Sequence, residues 1–246
     1  MVLANGRLSA KSLKQGLRLS ALMKPAAQSL DLVLAQTQAD ADRFVQMGAQ
    51  RVQVSGNVKF DMNPSDALLA TGAMWRDASH DRPLVMMASS REGEEEALLS
   101  AWKARRAQLV DQGQVWPRLW IVPRHPQRFD EVANLVTQHG LSLSRRSAWG
   151  LHEPDASAKQ ADVWLGDSIG EMPAYYAAAR VALLGGSFEP LGGQNLIEAA
   201  ACGCPIVMGP STFNFAEAAE LSERAGAAFR RSEERRVGKE CLRLCR

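Results

Sequence analysis

Residues 84–96 read LVMMASSREGEEE: an unbroken apolar run, then small polar residues and an arginine, then a glycine and three glutamates. The apolar run has the length of a strand buried on both faces. Acidic residues are typical of the first turn of a helix, where they complement its dipole. The stretch therefore predicts a strand, a short turn and a helix in direct succession.

The same succession recurs further along the chain. Additional apolar runs predict strands at 119–122, 141–144, 163–165, 181–184 and 205–208. Amphipathic helices are predicted through Trp102, Val132 and Tyr175, and over residues 196–201 and 215–221. Buried strands separated by helices indicate a parallel sheet with helices on both faces. The predicted fold class is therefore α/β, with a Rossmann-like domain.

The first 55 residues predict a separate α/β region. A basic helix over residues 11–24 precedes a strand at 32–35. Thr37 is predicted to cap a further helix that ends near Gly48, and residues 51–54 form another short strand. A turn-rich stretch follows from residue 56, and turn-rich sequence is typical of a domain crossing. We therefore predict two domains, residues 1–55 and 56–229.

Composition narrows the classes of function. The chain has 246 residues, 46% hydrophobic and 23% charged, with a net charge of +2, which is typical of a soluble globular protein and gives no support for nucleic-acid binding. No apolar run approaches the roughly 18 residues that a membrane span needs. The four cysteines predict a reduced cytosolic protein without a metal site. Residues 230–246 are predicted to be a charged tail, artefactual rather than part of the fold.

Ligands of parallel sheets bind beyond the carboxyl ends of the strands, so ligand-binding residues are expected in the segments that follow the strands. Ser89, Ser90 and Arg91 follow the first strand; their hydroxyl and guanidinium groups suit a phosphate. The alternative is that a serine caps the helix. Arg124 and His125 follow the second strand between two prolines and suit a phosphate or a sugar carboxylate, although a simple surface turn is the alternative.

Two further segments carry glycines. Ile169, Gly170 and Glu171 follow another strand; the glycine permits close approach of a ligand, but Ser168 and Glu171 also have capping-box spacing. The most specific segment reads GGSF at 185–188 and GGQNLIE at 192–198. Exposed N–H groups at the N-terminus of the helix that this segment opens form an anion site, and Asn195 with Glu198 could contact a ribose or a base. The phosphate-loop and GxGxxG patterns are absent, which argues against an NTPase or a dehydrogenase.

These four segments together resemble those of the Kdo (3-deoxy-D-manno-octulosonic acid) transferases, a family of two-domain GT-B glycosyltransferases. The resemblance covers about residues 4–229. It includes NGRLS at 5–9, which is similar to the family's Asn-Ala-Arg-Leu-Ser, GNVKFD at 56–61, and GP at 209–210 followed by FNF at 213–215. It implies that residues 1–55 end the acceptor domain and that residues 56–229 bind the nucleotide sugar.

The resemblance implies inverting, metal-independent transfer of Kdo from CMP-Kdo to the lipid A precursor, lipid IVA, in lipopolysaccharide biosynthesis. No cofactor is implied, and the partners are the two substrates and a membrane surface, at the cytoplasmic face of the inner membrane of a Gram-negative bacterium. The implied CMP and donor contacts are Arg124, His125, Ile169, Gly170, Glu171, Asn195, Leu196, Ile197 and Glu198. Further candidates for donor contacts are Ser89, Ser90, Arg91, Gly186, Ser187 and Gly193.

The chain departs from the family pattern in several places. Arg91 stands where the family usually has His, and Gly6 where it usually has Ala. The family's general-base carboxylate, its membrane anchor and its C-terminal helices are expected outside these residues. The resemblance therefore predicts a chain shortened at both ends, with no catalytic residue of its own and no activity in isolation. Two alternatives are a GT-B enzyme that uses a UDP-sugar and a nucleotide-binding module without catalysis.

Overall fold

The structure is a computed structural model that describes residues 1–79, 82–110, 115–150 and 153–231. It divides the chain into two compact units, Met1–Met62 and Asn63–Arg246. The boundary predicted from the sequence, between residues 55 and 56, precedes this division by one 3-10 turn, Val58–Asp61. Residues 232–246, which make up most of the predicted tail, lie outside the described residues, as do Cys241 and Cys245.

The first unit is a parallel α/β layer. Its strands pair in the order β1 (Val2–Gly6), β2 (Leu32–Ala35) and β3 (Val52–Val54). Its helices are α1 (Ala10–Arg18), α2 (Ser20–Gln28) and α3 (Gln38–Met47). The predicted limits of α3 are confirmed, because the Thr37 hydroxyl accepts the Asp40 N–H at 3.1 Å and Gly48 adopts a left-handed conformation (φ 114°).

The basic helix predicted over residues 11–24 is in fact two helices. Helix α1 ends at Arg18, and Leu19 leaves helical geometry (φ −108°, ψ 36°) before α2 begins. Leu19 is neither glycine nor proline, so no intrinsic helix breaker ends α1 at this point. The Leu19 N–H donates to the Gly16 carbonyl at 3.0 Å, a bond over three residues that tightens the last turn of α1.

The second unit is a seven-stranded parallel sheet, counted over the described residues. Its strands are β4 (Leu84–Ser90), β5 (Arg118–Pro123), β6 (Leu143–Arg145), β7 (Val163–Leu165), β8 (Val181–Leu184), β9 (Ile206–Met208) and β10 (Ala228–Arg230). The spatial order is β10-β9-β8-β4-β5-β7-β6. Its helices are α4 (Asp66–Ala78), α5 (Glu94–Val110), α6 (Phe129–Gln138), α7 (Ala156–Gln160), α8 (Met172–Ala178), α9 (Ile197–Ala201) and α10 (Ala216–Arg224).

Alternate residues of the central strands supply two separate cores. Met86 and Trp120 belong to one buried cluster, whereas Val85 and Leu119 belong to the other. Side chains of a strand alternate between the two faces of the sheet, so both faces are apolar and both are covered. This arrangement confirms the predicted Rossmann-like α/β class.

Strand β10 was not predicted. It adds an edge strand beside β9, and its Arg230 forms an ion pair with Glu223 at 2.9 Å and donates to the Thr212 hydroxyl at 2.8 Å. Arg230, which the sequence assigned to the charged tail, is therefore part of the sheet. No helix among the described residues is long and apolar enough to cross a membrane.

The strand order reverses at β4. From β4 the chain continues through β5, β6 and β7 on one side and then returns to β8 on the other side of β4. The carboxyl ends of β8, β4, β5 and β7 are therefore neighbours at one edge of the sheet. In open α/β sheets, ligands bind in the crevice at such a reversal.

Candidate functional site

The ends of β4 and β5 bring two arginines together. Ser90 pairs with Pro123, and the Arg124 N–H donates to the Ser90 carbonyl oxygen at 3.1 Å. Arg91 is half-buried and Arg124 is exposed, and neither guanidinium forms a hydrogen bond or ion pair with another described residue. His125 follows, half-buried, at the start of the 3-10 turn Pro126–Arg128. The two guanidinium groups are available to an anion.

Ser89 and Ser90, which precede Arg91, do not cap α5, so the prediction that one of them caps the helix is wrong. Ser89 adopts a left-handed conformation (φ 54°), and the fully buried Ser90 hydroxyl has no hydrogen-bond partner among the described residues. Instead, the Glu94 carboxylate accepts the Arg91 N–H at 2.9 Å. The side chain that binds a backbone N–H group at the start of α5 is thus that of Glu94, not that of a serine.

Glu94 is a residue that the sequence did not single out. Its carboxylate also accepts the N–H groups of Gly186, at 2.8 Å, and Phe188, at 3.3 Å, from the turn after β8. Burial raises the pKa of Glu94, and the hydrogen bonds from Gly186, Arg91 and Phe188 offset this only in part. Glu94 lies three residues after Arg91, and this spacing is the only sequence signal for their contact. The spacing does not predict the contact with Gly186, which is 92 positions away.

All four glycines of the predicted phosphate turn have N–H groups that already bind protein acceptors. Gly185 donates to the Ala88 carbonyl (2.8 Å), Gly186 to Glu94 (2.8 Å), Gly192 to the Ser211 hydroxyl (2.9 Å) and Gly193 to the Gly186 carbonyl (2.7 Å). These four glycine N–H groups are therefore not available to a ligand. The turn instead packs tightly, since a Cβ on Gly185 would lie 2.2 Å from the Ser89 carbonyl oxygen.

The side chains beside these glycines are mostly buried. Ser187 is fully buried; its hydroxyl donates to the Leu184 carbonyl and accepts the Gly209 N–H at 2.8 Å. Leu196 and Ile197 pack in the core, so only their backbone groups can face a ligand. The Asn195 side-chain oxygen accepts the Ile197 N–H at 3.1 Å.

Glu198 lies in the first turn of α9 and differs from these neighbours. It is half-buried, and its carboxylate forms no hydrogen bond or ion pair with another described residue. Burial raises the pKa of its carboxyl. A half-buried carboxylate without a protein partner is suited to accept hydrogen bonds from ligand hydroxyl groups.

In the turn after β7 the backbone is exposed, whereas the Glu171 carboxylate is bound by other residues of the protein. Ile169 is 80% exposed, and Gly170 is left-handed (φ 84°) with nothing near its Cβ position. Glu171 precedes α8 without a side-chain cap, so the predicted capping box is absent. Its carboxylate binds the Arg146 guanidinium at 2.7 Å and accepts the Ser168 hydroxyl.

Arg146 rests on a buried aromatic cluster below this turn. Its guanidinium lies 4.9 Å from the Trp75 ring centre, and the Trp75 ring packs at 5.4 Å against Trp120 and at 5.6 Å against Tyr175. Beside it, burial would raise the pKa of Asp167, but hydrogen bonds from Ser147 and Arg145 outweigh burial and lower this pKa. The turn is thus fixed from below by aromatic packing and ion pairs.

Over the described ranges, no group of three His, Cys, Asp or Glu side chains is arranged to hold a metal ion. Cys202 and Cys204 are free thiols.

Comparison with known proteins decides the family. Residues 1–62 match the family model described as 3-deoxy-D-manno-octulosonic-acid transferase (kdotransferase). The chain is 46% identical over 235 residues to the 3-deoxy-D-manno-octulosonic acid transferase of Bordetella pertussis, a match that covers 96% of this chain and 53% of that protein. The chain belongs to the Kdo transferase family.

Other Kdo transferases agree with this assignment. The Haemophilus influenzae protein of the same name is 34% identical over 224 residues, covering 88% of this chain and 49% of that protein. The chain thus spans about half the length of these relatives. The crystal structure of the C-terminal CMP-Kdo-binding domain of WaaA from Acinetobacter baumannii matches with a TM-score of 0.64 and 29% identity, over 74% of this chain and 90% of that domain. This match confirms the GT-B fold class.

Proposed function

We propose that the second unit binds CMP-Kdo and that the parent protein transfers Kdo from it to the lipid A precursor, lipid IVA. The observation that carries this proposal is the similarity to the CMP-Kdo-binding domain of the A. baumannii protein. The geometry supports the same ligand, because unpaired positive groups and an unpaired carboxylate gather at the reversal of strand order.

The proposed donor site assigns one part of the nucleotide to each unpaired group. Arg91, Arg124 and His125 face the phosphate, and arginine is suited to bind phosphate oxygens in pairs. The half-buried Glu198 carboxylate accepts the ribose hydroxyl groups, with the Asn195–Ile197 backbone beside it. The exposed backbone of Ile169 and Gly170 contacts the base, while Glu171 holds that turn in place through Arg146.

In the proposed reaction the bond between the anomeric carbon of Kdo and the CMP phosphate breaks, and a hydroxyl of the acceptor forms the new glycosidic bond from the opposite face. CMP leaves with the electron pair as a phosphate anion. The arginines stabilise the charge that develops there, which is why we propose that transfer needs no metal. The general base is proposed to be a carboxylate of the parent protein outside these residues.

We further propose that the parent protein works at a membrane surface, on the cytoplasmic face of the inner membrane, where lipid IVA is its partner. Helix α1 supports this proposal, because Lys11, Lys14 and Arg18 are exposed together with Leu17. Replacing the three basic residues by Gln should reduce binding to vesicles that contain phosphatidylglycerol, since each basic residue contributes about 1 kcal/mol near an anionic surface. Unchanged binding would overturn this part of the proposal.

Calorimetric titration of the chain with CMP, with UMP as control, tests the donor site. We expect selective CMP binding that Glu198→Ala weakens by about tenfold or more, as for loss of a hydrogen bond to a charged group. Equal binding of UMP would favour a transferase that uses a UDP-sugar. No binding of either nucleotide to folded protein would overturn the proposal. A turnover assay of the parent protein with CMP-Kdo and lipid IVA separates a transferase from a binding module.

A further inference from the structure

Three backbone N–H groups donate to one buried side chain at the carboxyl ends of the central strands β4 and β8. Arg91 and Gly186 donate to the same Glu94 oxygen at 2.9 and 2.8 Å, and Phe188 donates to the other oxygen at 3.3 Å. Glu94 is only 3% exposed. A carboxylate can be buried in this way because hydrogen bonds to its oxygens replace those from water.

The place that Glu94 occupies is the one that a ligand phosphate commonly takes. It lies between the turns that follow β4 and β8, the two strands between which the order of the sheet reverses. Gly186 is left-handed (φ 68°), and successive N–H groups around such a residue form a concave anion site. Here the anion in that concave site is the protein's own carboxylate.

The neighbouring contacts leave little room for a second anion. A Cβ on Gly185 would lie 2.2 Å from the Ser89 carbonyl oxygen, so the two turns are in direct backbone contact. The Gly192 and Gly193 N–H groups are also bound, to the Ser211 hydroxyl and the Gly186 carbonyl. The positive groups beside the turn that have no protein partner among the described residues are instead Arg91, whose Cγ lies 3.7 Å from the Cβ position of Gly186, and Arg124.

We propose that Glu94 is a positioning residue: an internal anion that fills the amide site of the 186–188 turn, ties this turn to the start of α5, and leaves the donor phosphate to Arg91 and Arg124. The inference rests on the proposed donor site and adds which groups of that site meet the phosphate. Glu94 itself would not touch the donor.

Amide NMR of the complete chain tests where an anion can bind. Titration of the wild-type protein with inorganic phosphate should shift the guanidinium signals of Arg91 and Arg124 and should move the Gly186 and Phe188 amide signals by less, because Glu94 already accepts those two N–H groups. Displacement of the two amide signals by more than the guanidinium signals would mean that the amide site is open, and would overturn the proposal. This measurement needs no substitution, so it does not depend on whether a variant folds.

Substitution tests the positioning role. In Glu94→Gln the amide signals of Arg91, Gly186 and Phe188 should shift upfield. The affinity for CMP should fall by about tenfold, a typical size for the coupling between a binding site and a group that positions it. Glu92→Gln is the matched control, since Glu92 is exposed and has no recorded partner among the described residues; neither quantity should change. In Glu94→Ala, added formate should restore CMP affinity by occupying the vacated amides.

The outcomes separate this inference from the proposed function. If the amide signals respond to Glu94→Gln but the wild-type chain binds no CMP, then Glu94 is the internal anion and the donor assignment is wrong. If CMP binds to the wild-type and Glu94→Gln chains with equal affinity, the donor assignment stands and the positioning role is overturned. If the amide signals do not change in Glu94→Gln, the hydrogen bonds from Arg91, Gly186 and Phe188 to Glu94 are themselves wrong.

Discussion

Arg91, Arg124 and Glu198 carry charges that no other described residue pairs with, whereas Glu94, Glu171 and Asp167 are each held by several donors. Charged groups in a cleft that have no protein partner can still form ion pairs and hydrogen bonds with a ligand. The unpaired set combines two positive groups with one acceptor, which matches a nucleoside monophosphate. The paired set keeps the surrounding turns in place.

Replacing Glu198 by Gln should weaken CMP binding and stabilise the free protein at neutral pH. Burial raises the pKa of Glu198, so the ionised carboxylate is less favourable in the folded protein than in the unfolded chain. That cost applies above the raised pKa and disappears at pH values below the ordinary pKa, where both states are protonated. CMP binding should follow the opposite trend and weaken as the pH falls through the raised pKa, because the protonated carboxyl is a poorer acceptor.

Calorimetry and thermal unfolding between about pH 4 and pH 8 check both trends. The affinity of Glu198→Gln should be about tenfold lower than that of the wild type at neutral pH. Both affinities should fall toward acidic pH, since the CMP phosphate is protonated with a pKa of about 6, but the wild-type affinity should fall further. A ratio of the two affinities that is independent of pH would show that this carboxylate does not contact the nucleotide.

The Arg146–Glu171 ion pair should contribute to stability as a unit. Either Arg146→Met or Glu171→Gln is expected to lower the free energy of unfolding by about 2 kcal/mol, less than for a fully buried pair because both side chains retain some exposure. Urea unfolding should show that the double variant loses much less than the sum of the single losses. Arg224→Met, which breaks the exposed pair with Glu220, is the control and should cost at most about 0.5 kcal/mol. Additive losses would contradict the coupling.

At the scale of elements, the sequence predicted the strands that contain a run of apolar residues. β4, β5, β7, β8 and β9 are buried on both faces, so each contains such a run. The edge strands β3 and β6 were also predicted, although each is partly exposed. The edge strands β1 and β10 mix exposed and buried residues over a few positions and were not predicted. The break between α1 and α2 also escaped prediction, because no glycine or proline marks it at Leu19.

The candidate site also has a part that the sequence predicted and a part that it did not. Strand ends located Arg91, Arg124, Gly170 and Glu198, since every parallel strand delivers its carboxyl end to the same edge. The state of the glycine amides depends on Glu94, and that contact joins residues 92 positions apart. Local sequence fixes which residues reach the edge of the sheet, whereas long-range hydrogen bonds decide which of their groups stay available.

The contact between the turns after β4 and β8 should tolerate no added atom. Gly185→Ala is expected to destabilise the protein by about 3 kcal/mol, because a Cβ would lie 2.2 Å from the Ser89 backbone oxygen, which cannot rotate away. Gly150→Ala is the matched control, since its Cβ position is open. Urea unfolding compares the two variants, and a small loss in Gly185→Ala would mean that the turns can separate.

At the scale of the whole molecule, each unit has a core of its own. Val33, Ala35 and Phe44 belong to a cluster within the first unit, whereas the two larger clusters lie within the second. A unit with its own core can fold by itself. The proposed donor groups all belong to the second unit.

A shortened chain of residues 63–231 should therefore fold and bind CMP with the affinity of the complete chain, within about twofold. Circular dichroism and calorimetric titration check folding and binding, and Glu198→Ala in the shortened chain is the negative control. Loss of CMP binding by a well-folded shortened chain would mean that residues 1–62 contribute to the donor site.

The occupied amide site also bears on the design of inhibitors. A nucleoside analogue with an acidic group directed at the glycine turn would approach a carboxylate instead of free amides, and the two like charges would repel. In the proposed donor site, the acidic group would be placed toward Arg91 and Arg124, where it can form paired hydrogen bonds. A neutral hydrogen-bond donor is the better substituent toward the glycine turn.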